Sequence, residues 1–185
     1  MVKDVRDRAE GAMKKAVDAM TREFTSVRTG RASTALLQGI TVECYGAVSP
    51  LQQVATVATP ETRLITIQPW DQSLVPAIEK AILKSDLGIT PSSDGRAIRI
   101  TIPPLTEERR KELVRVVRRM AEEGRVAIRN VRRDANDKLK ALEKQKKITE
   151  DDLKKSVETV QKLTDKSIKE IDTALANKEK EILEF

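Results

Sequence analysis

The chain has 185 residues, room for one or two domains, and carries 35 Lys and Arg against 29 Asp and Glu, a formal net charge of +6. Charged residues make up 35% of it, and no run approaches the ~20 apolar residues of a membrane span, so a helical membrane protein is excluded and no membrane partner is expected. It has no histidine and a single cysteine, Cys44, which excludes a Ser-His or Cys-His nucleophilic device and an internal disulfide and fits a reducing, cytoplasmic setting.

Met1 to Arg8 is charged rather than basic-then-apolar, so no secretory signal is expected. A first helix is expected from about Lys3 to Arg28, because Val5, Ala9, Met13, Ala16, Met20, Phe24 and Val27 recur at steps of three or four. Gly11 inside it is a mild cost, and Gly30 reads as its C-cap. The pattern then changes. Ile40–Tyr45, Arg63–Gln68 and Ala97–Ile102 alternate as strands and stop at glycine or proline. One helix fits from about Ser73 to Ser85, and Pro91–Gly95 reads as a turn. Trp70, the only tryptophan, reads as a packing residue, and Cys44 as a buried strand thiol.

Pro103 and Pro104 end the strands. Thr106 then reads as an N-cap, with Glu107 and Glu108 in the first turn of a second long helix that runs to about Lys146. About 40 helical residues span ~60 Å, too long for an ordinary globular core to cover. A third helix starts at Thr149 with Asp152 three residues on, as in a capping box. Its stripe is Leu153, Val157, Val160, Ile168, Ile171, Leu175 and Ile182. The short break at Lys146–Thr149 makes helices two and three antiparallel. The expected fold is α+β with two domains: an antiparallel three-helix bundle (residues 1–29 with 105–185) and an inserted small α/β, sandwich-like domain (residues 30–104). The linkers fall near 29–32 and 102–105. Side by side they read as a hinge, formed by Thr29, Gly30, Arg31 and Ala32 with Pro103, Pro104 and Leu105; the alternative is a rigid corner stiffened by the two prolines.

The charge is uneven. Leu105–Arg133 has ten basic residues, nine of them arginine, against five acidic ones, whereas Ala32–Pro104 has five against six and Thr149–Phe185 seven against ten. At about 100° per residue, Arg118, Arg125, Arg129 and Arg132 fall within roughly 60° of one another. Leu113, Val117, Met120, Val131, Ala135 and Leu142 form an apolar stripe roughly 120° away. From Arg125 to Arg133 there is no acid. Guanidinium forks suit phosphate, so the row reads as a polyanion-binding face. The competing reading is a solvated face with intrahelical pairs, such as Glu122 with Arg118 or Arg125. The long helices carry only Phe24 and Phe185 as aromatics, so stacking on single-stranded bases is not the mode; phosphate contact along structured RNA is. Two further readings remain: an enzyme holding a metal on Asp151-Asp152 or Glu107-Glu108, and a coiled-coil scaffold without RNA. No phosphate-binding glycine loop is present, so no GTP hydrolysis by this chain is expected.

Five segments resemble the bacterial and organellar ribosome recycling factor family in order and spacing: Val27–Ser33, Ser85–Gly88, Pro103–Lys111, Val126–Ala135 and Gln161–Asp165. The sequence departs from the family at Cys44, where an aromatic is commoner, and at Thr90, where asparagine is usual. The resemblance implies an L-shaped, tRNA-like, monomeric, non-enzymatic factor without cofactor or metal. It implies two partners: the post-termination ribosome, through large-subunit rRNA, and elongation factor G. It places rRNA contacts near Arg129, Arg132 and Arg133, beside Arg125, with Arg28, Arg31 and Arg110 close to the domain junction.

Overall fold

The computed structural model describes residues 1–184; Phe185, which ends the expected bundle segment, lies outside the described residues. The chain divides into two compact units: Met1–Arg28 with Glu107–Glu184, and Thr29–Thr106.

The first unit is three packed helices, α1 (Val2–Ser26), α4 (Glu107–Lys144) and α5 (Glu150–Glu184). Their buried faces are Ala9, Met13, Met20 and Phe24 on α1; Leu113, Val117, Ala121, Gly124, Ile128, Ala135 and Leu139 on α4; and Val160, Thr164, Ile171 and Ile182 on α5. A fully buried Ile or Leu contributes about 1.5–3 kcal/mol, so Ile128, Leu139 and Ile171, each at most 1% exposed, anchor the bundle. The three helices meet at Gly124, where an added Cβ would lie 3.1 Å from Ile171 Cδ1 and 3.5 Å from Met20 Sδ. The buried face of α4 differs from the expected one. It takes in Ala121, Gly124, Ile128 and Leu139, which shifts its centre toward the arginine row, to roughly 85° away at about 100° per residue. Met120, Val131 and Leu142 are only half-buried.

The ends of these helices are chemically set. At the start of α5 the Thr149 N–H donates to Asp152 Oδ2 and the Asp152 N–H to Thr149 Oγ1, both at 3.1 Å, a reciprocal capping box. At the end of α4 the Lys147 N–H donates to the Leu142 carbonyl and the Lys146 N–H to that of Glu143, a Schellman pattern. Lys146 takes the left-handed position that glycine usually fills, with φ of 56°.

The second unit begins with a 3-10 turn, Thr34–Leu37. The hairpin β1 (Thr41–Cys44) and β2 (Ala47–Pro50) follows, then the single-turn α2 (Leu51–Val54). The strands β3 (Ala55–Glu61), β4 (Leu64–Pro69), β5 (Ser92–Ser93) and β6 (Ile98–Thr101) form an antiparallel sheet in the order β3-β4-β6-β5. The helix α3 (Val75–Lys84) lies between β4 and β5 in the chain. Period-2 alternation turns Ile65 and Ile67 of β4 and Ile98 and Ile100 of β6 into one core, with Ile78 and Ile82 of α3; all six have no exposed surface. Strands β2 and β3 are additions to the three expected strands, and β5 occupies part of the expected turn.

Both crossings into this unit are stitched to one hairpin turn. The Ala32 N–H donates to the Thr62 carbonyl and the Ile102 N–H to the Arg63 carbonyl, each at 2.7 Å. Gly30 is not the cap of α1, which ends at Ser26 with Val27 already extended. Gly30 instead has φ of +75° and a hypothetical Cβ only 3.0 Å from Leu105 Cγ. Left-handed backbone and the close approach of the second linker both call for glycine there.

Candidate nucleic-acid interface

The arginines of α4 divide into two groups according to what α5 places beside them. Arg118 Nε donates to Glu179 Oε1 at 2.5 Å. One heptad on, Arg125 Nε and Nη2 donate to Asp172 Oδ1 at 2.9 and 2.6 Å. The two rungs step seven residues forward on α4 and seven backward on α5, as an antiparallel pair must. The next rung pairs Arg132 with Asp165 by the same step, but Gln161 stands between them. Gln161 Nε2 donates to Asp165 Oδ1 at 2.9 Å, and Arg132 Nη1 reaches only Gln161 Oε1, at 3.4 Å. The ladder of neutralised guanidiniums therefore ends at Arg125.

Arg125 is mostly enclosed, its side chain 19% exposed and held also by Glu122 Oε2 at 3.0 Å; Arg132 is half-buried. The Asp172 hydrogen bond, more than Glu122, holds the Arg125 pKa above the ordinary guanidinium value. Glu122 is likewise held below the usual carboxylate range, first by Arg125 and then by Arg129. Arg129 Nη1 meets Glu122 Oε1 at 3.2 Å and stays 41% exposed. Arg133 is exposed with no ion pair or hydrogen bond among the described residues.

Intrahelical pairing thus accounts for Glu122 with Arg125 and partly for Arg129; Arg118 is paired across to Glu179 of α5 instead of to Glu122, and Arg132 and Arg133 have no acid partner among the described residues. The acid-free run in the sequence is not acid-free in space, since Glu122 reaches forward along α4 and Asp172 comes from α5. What remains is a cationic surface at Arg129, Arg132 and Arg133 that a polyanion can neutralise. Exposed ion pairs are weak, so phosphate can also displace Glu122 from Arg129 at small cost. Beside the row, Val126 is 45% exposed. Arg115 and Arg119 are exposed without an ion pair or hydrogen bond among the described residues, and the sequence reading did not single them out.

The remaining arginines are set apart. Arg110 is half-buried and its Nη1 donates to the Leu183 carbonyl at 3.1 Å, satisfying an orphan acceptor in the last turn of α5. Arg28 is exposed after the end of α1 in the first unit; Arg31 is exposed in the second. Thr29 is buried, Pro103 and Pro104 are exposed, and Leu105 is half-buried.

The acid pairs serve local ends. Glu107 pairs with Lys111 at 2.7 Å, Asp151 with Lys155 at 2.8 Å, and Asp152 caps α5. Among the described residues no group of three or more His, Cys, Asp or Glu is placed to hold a metal ion, and no helix is long and apolar enough to cross a membrane.

A family model described as ribosome recycling factor matches residues 20–183. The chain is 59% identical over 184 residues to the ribosome-recycling factor of Moorella thermoacetica, covering all of both chains. It is 57% identical over 183 residues to that of Carboxydothermus hydrogenoformans, covering 99% of each. The chain belongs to the ribosome recycling factor family. Members of that family are translation factors rather than enzymes. In fold the chain resembles a ribosome recycling factor solved in solution, with TM-score 0.74 and 48% identity over 100% of this chain and 98% of that one. It also resembles a chain from a structure of the T. thermophilus ribosome recycling factor and the E. coli elongation factor G bound to the E. coli post-termination complex, with TM-score 0.63, 50% identity and 99% of each chain covered.

Proposed function

We propose that this chain binds the post-termination ribosome in the cytoplasm and, with elongation factor G and GTP, promotes subunit dissociation and the release of mRNA and deacylated tRNA. Full-length identity to recycling factors supports the role, as does the T. thermophilus relative's structure with elongation factor G on a post-termination complex. The observation that carries the contact is the broken ladder. Two arginines of α4 are neutralised by α5, and the next, Arg132, is turned toward an amide instead of a carboxylate.

In this reading Arg129, Arg132 and Arg133, with Arg125 bracing them, meet phosphates of large-subunit rRNA; Arg28, Arg31 and Arg110 support the same contact. Arrival is electrostatically steered and binding is salt-dependent. Thr29, Gly30, Arg31 and Ala32 with Pro103, Pro104 and Leu105 form the hinge. The tethers at Ala32 and Ile102 confine its freedom to the few residues outside them. The long helices carry force from elongation factor G to the RNA contact.

The test is subunit splitting by light scattering with ribosomes, elongation factor G and GTP. Splitting is expected only when this protein is present, and a rate unchanged by its addition would remove the proposed role.

A further inference from the structure

The rungs that α4 and α5 build at a seven-residue step end differently, and one residue of α5 accounts for the difference. At the first two rungs the acid meets its arginine directly, Glu179 with Arg118 and Asp172 with Arg125. Asp165 stands at the same step from Arg132, yet neither is in an ion pair among the described residues. Reach is not the obstacle. Arg125 and Asp172 are the same two residue types in the same register, and they meet at 2.6 Å.

What differs is the residue four positions before each acid. It is Leu175 before Glu179, Ile168 before Asp172 and Gln161 before Asp165. An aliphatic side chain offers a carboxylate no hydrogen bond, so the first two acids are left to the arginines. A glutamine amide carries both donors and an acceptor. Gln161 Nε2 donates to Asp165 Oδ1 at 2.9 Å, and Gln161 Oε1 faces Arg132 Nη1 at 3.4 Å. A hydrogen bond to an ionised carboxylate is among the stronger ones, whereas 3.4 Å to an amide oxygen is long for an N–H donor. The amide therefore holds the acid firmly and the guanidinium loosely.

A glutamine and an aspartate four residues apart also form an ordinary helix-surface pair, which adds a little to helix stability. The place of this pair gives it a second consequence. An arginine closed on a carboxylate must open before it meets phosphate, and its apparent affinity falls by the fraction of time it is closed.

We propose that Gln161 is a positioning residue for the RNA contact: by holding Asp165 it keeps the Arg132 guanidinium open to phosphate. Asp165 is the latent acid that closes the third rung once the amide is removed. The proposal rests on the reading of Arg132 as an RNA contact, and it adds what keeps that arginine available.

The experiment measures ribosome affinity against salt for wild type, Gln161→Ala, Asp165→Asn and the double variant, with thermal melts in parallel. Gln161 is exposed and alanine favours helix, so the bundle stays folded. Gln161→Ala is expected to bind about two- to fivefold more weakly, the range an exposed ion pair can supply, with a shallower salt slope and an unchanged melting temperature. Asp165→Asn is expected to raise affinity more in the Gln161→Ala background than in wild type, bringing the double variant to the level of Asp165→Asn alone. That coupling separates release of Arg132 from a general loss of negative charge. Wild-type affinity in Gln161→Ala, or an equal gain from Asp165→Asn in both backgrounds, overturns the proposal while leaving the RNA contact intact. Arg132→Gln in the same assay checks the reading beneath it: if that variant binds as wild type does, Arg132 makes no RNA contact and the proposal falls with it.

Discussion

Arg125 and Arg133 lie eight residues apart on α4 and differ in what surrounds them. Arg125 is clamped by Asp172 and Glu122 and mostly covered; Arg133 extends into solvent. Arg125→Ala is therefore expected to destabilise the bundle by about 1 kcal/mol, through lost packing of its mostly covered side chain and loss of the pair to Asp172, Glu122 keeping Arg129. Arg133→Ala is expected to leave thermal melting unchanged while weakening ribosome binding. Melting curves and ribosome pelleting of both variants check this; a destabilised Arg133→Ala would contradict the division. The arginine run itself was legible in the sequence, because helical spacing needs nothing but the residue list. Which arginines stay available was not, because Asp172, Gln161 and Glu179 sit 29 to 61 residues away from the arginines they meet. The same limit applies to Tyr45, whose hydroxyl partner Asp71 lies 26 residues on and is brought to it only by tertiary structure.

At the scale of elements, the long helices were the legible part. Their apolar steps of three or four run for many turns, so a few half-buried positions such as Val5 or Leu175 do not blur the stripe. The strands β2 and β3 were missed for physical reasons. Ala47–Pro50 is short and contains proline, and Ala55–Glu61 is an edge strand with mostly small, exposed residues, so neither shows alternation. The helix interiors yield a paired prediction. A Cβ on Gly11 meets nothing within 4 Å, whereas one on Gly124 presses on Ile171 and Met20. Gly11→Ala is expected to stabilise by about 0.5–1 kcal/mol, and Gly124→Val to destabilise by about 1–3 kcal/mol through overpacking. Denaturant melts of each distinguish the two sites; a stabilising Gly124→Val would contradict the packing of the three helices there. Lys146→Gly is expected to stabilise by about 1 kcal/mol, because the Schellman position is left-handed; a lower denaturant midpoint would contradict it.

At the scale of the molecule, ionisation and charge set how stability and binding respond to solution conditions. Asp4, Asp71, Asp94, Glu122 and Asp152 are all held below the ordinary carboxylate range: Asp4 first by the N-terminal ammonium, Asp71 by the Tyr45 hydroxyl, Asp94 by the Ala97 N–H, Glu122 by Arg125 and Asp152 by Thr149. Groups whose folded pKa is depressed contribute stability that is present above the unfolded value, about 4, and lost as pH falls through the folded one. With no histidine to titrate, the melting temperature is expected to stay flat from about pH 5 to pH 8 and to fall below about pH 4; a drop between pH 7 and pH 5 would contradict this. The central claim is that the arginines beyond the last neutralised rung hold the protein to RNA phosphates. Ribosome affinity measured against salt for wild type, Arg132→Gln and Arg118→Gln tests it most directly. Arg132→Gln is predicted to bind more weakly, with a log–log salt slope shallower by about 1, and Arg118→Gln to keep the wild-type slope. An Arg132→Gln protein with wild-type affinity and slope, or equal losses in both variants, would contradict the account.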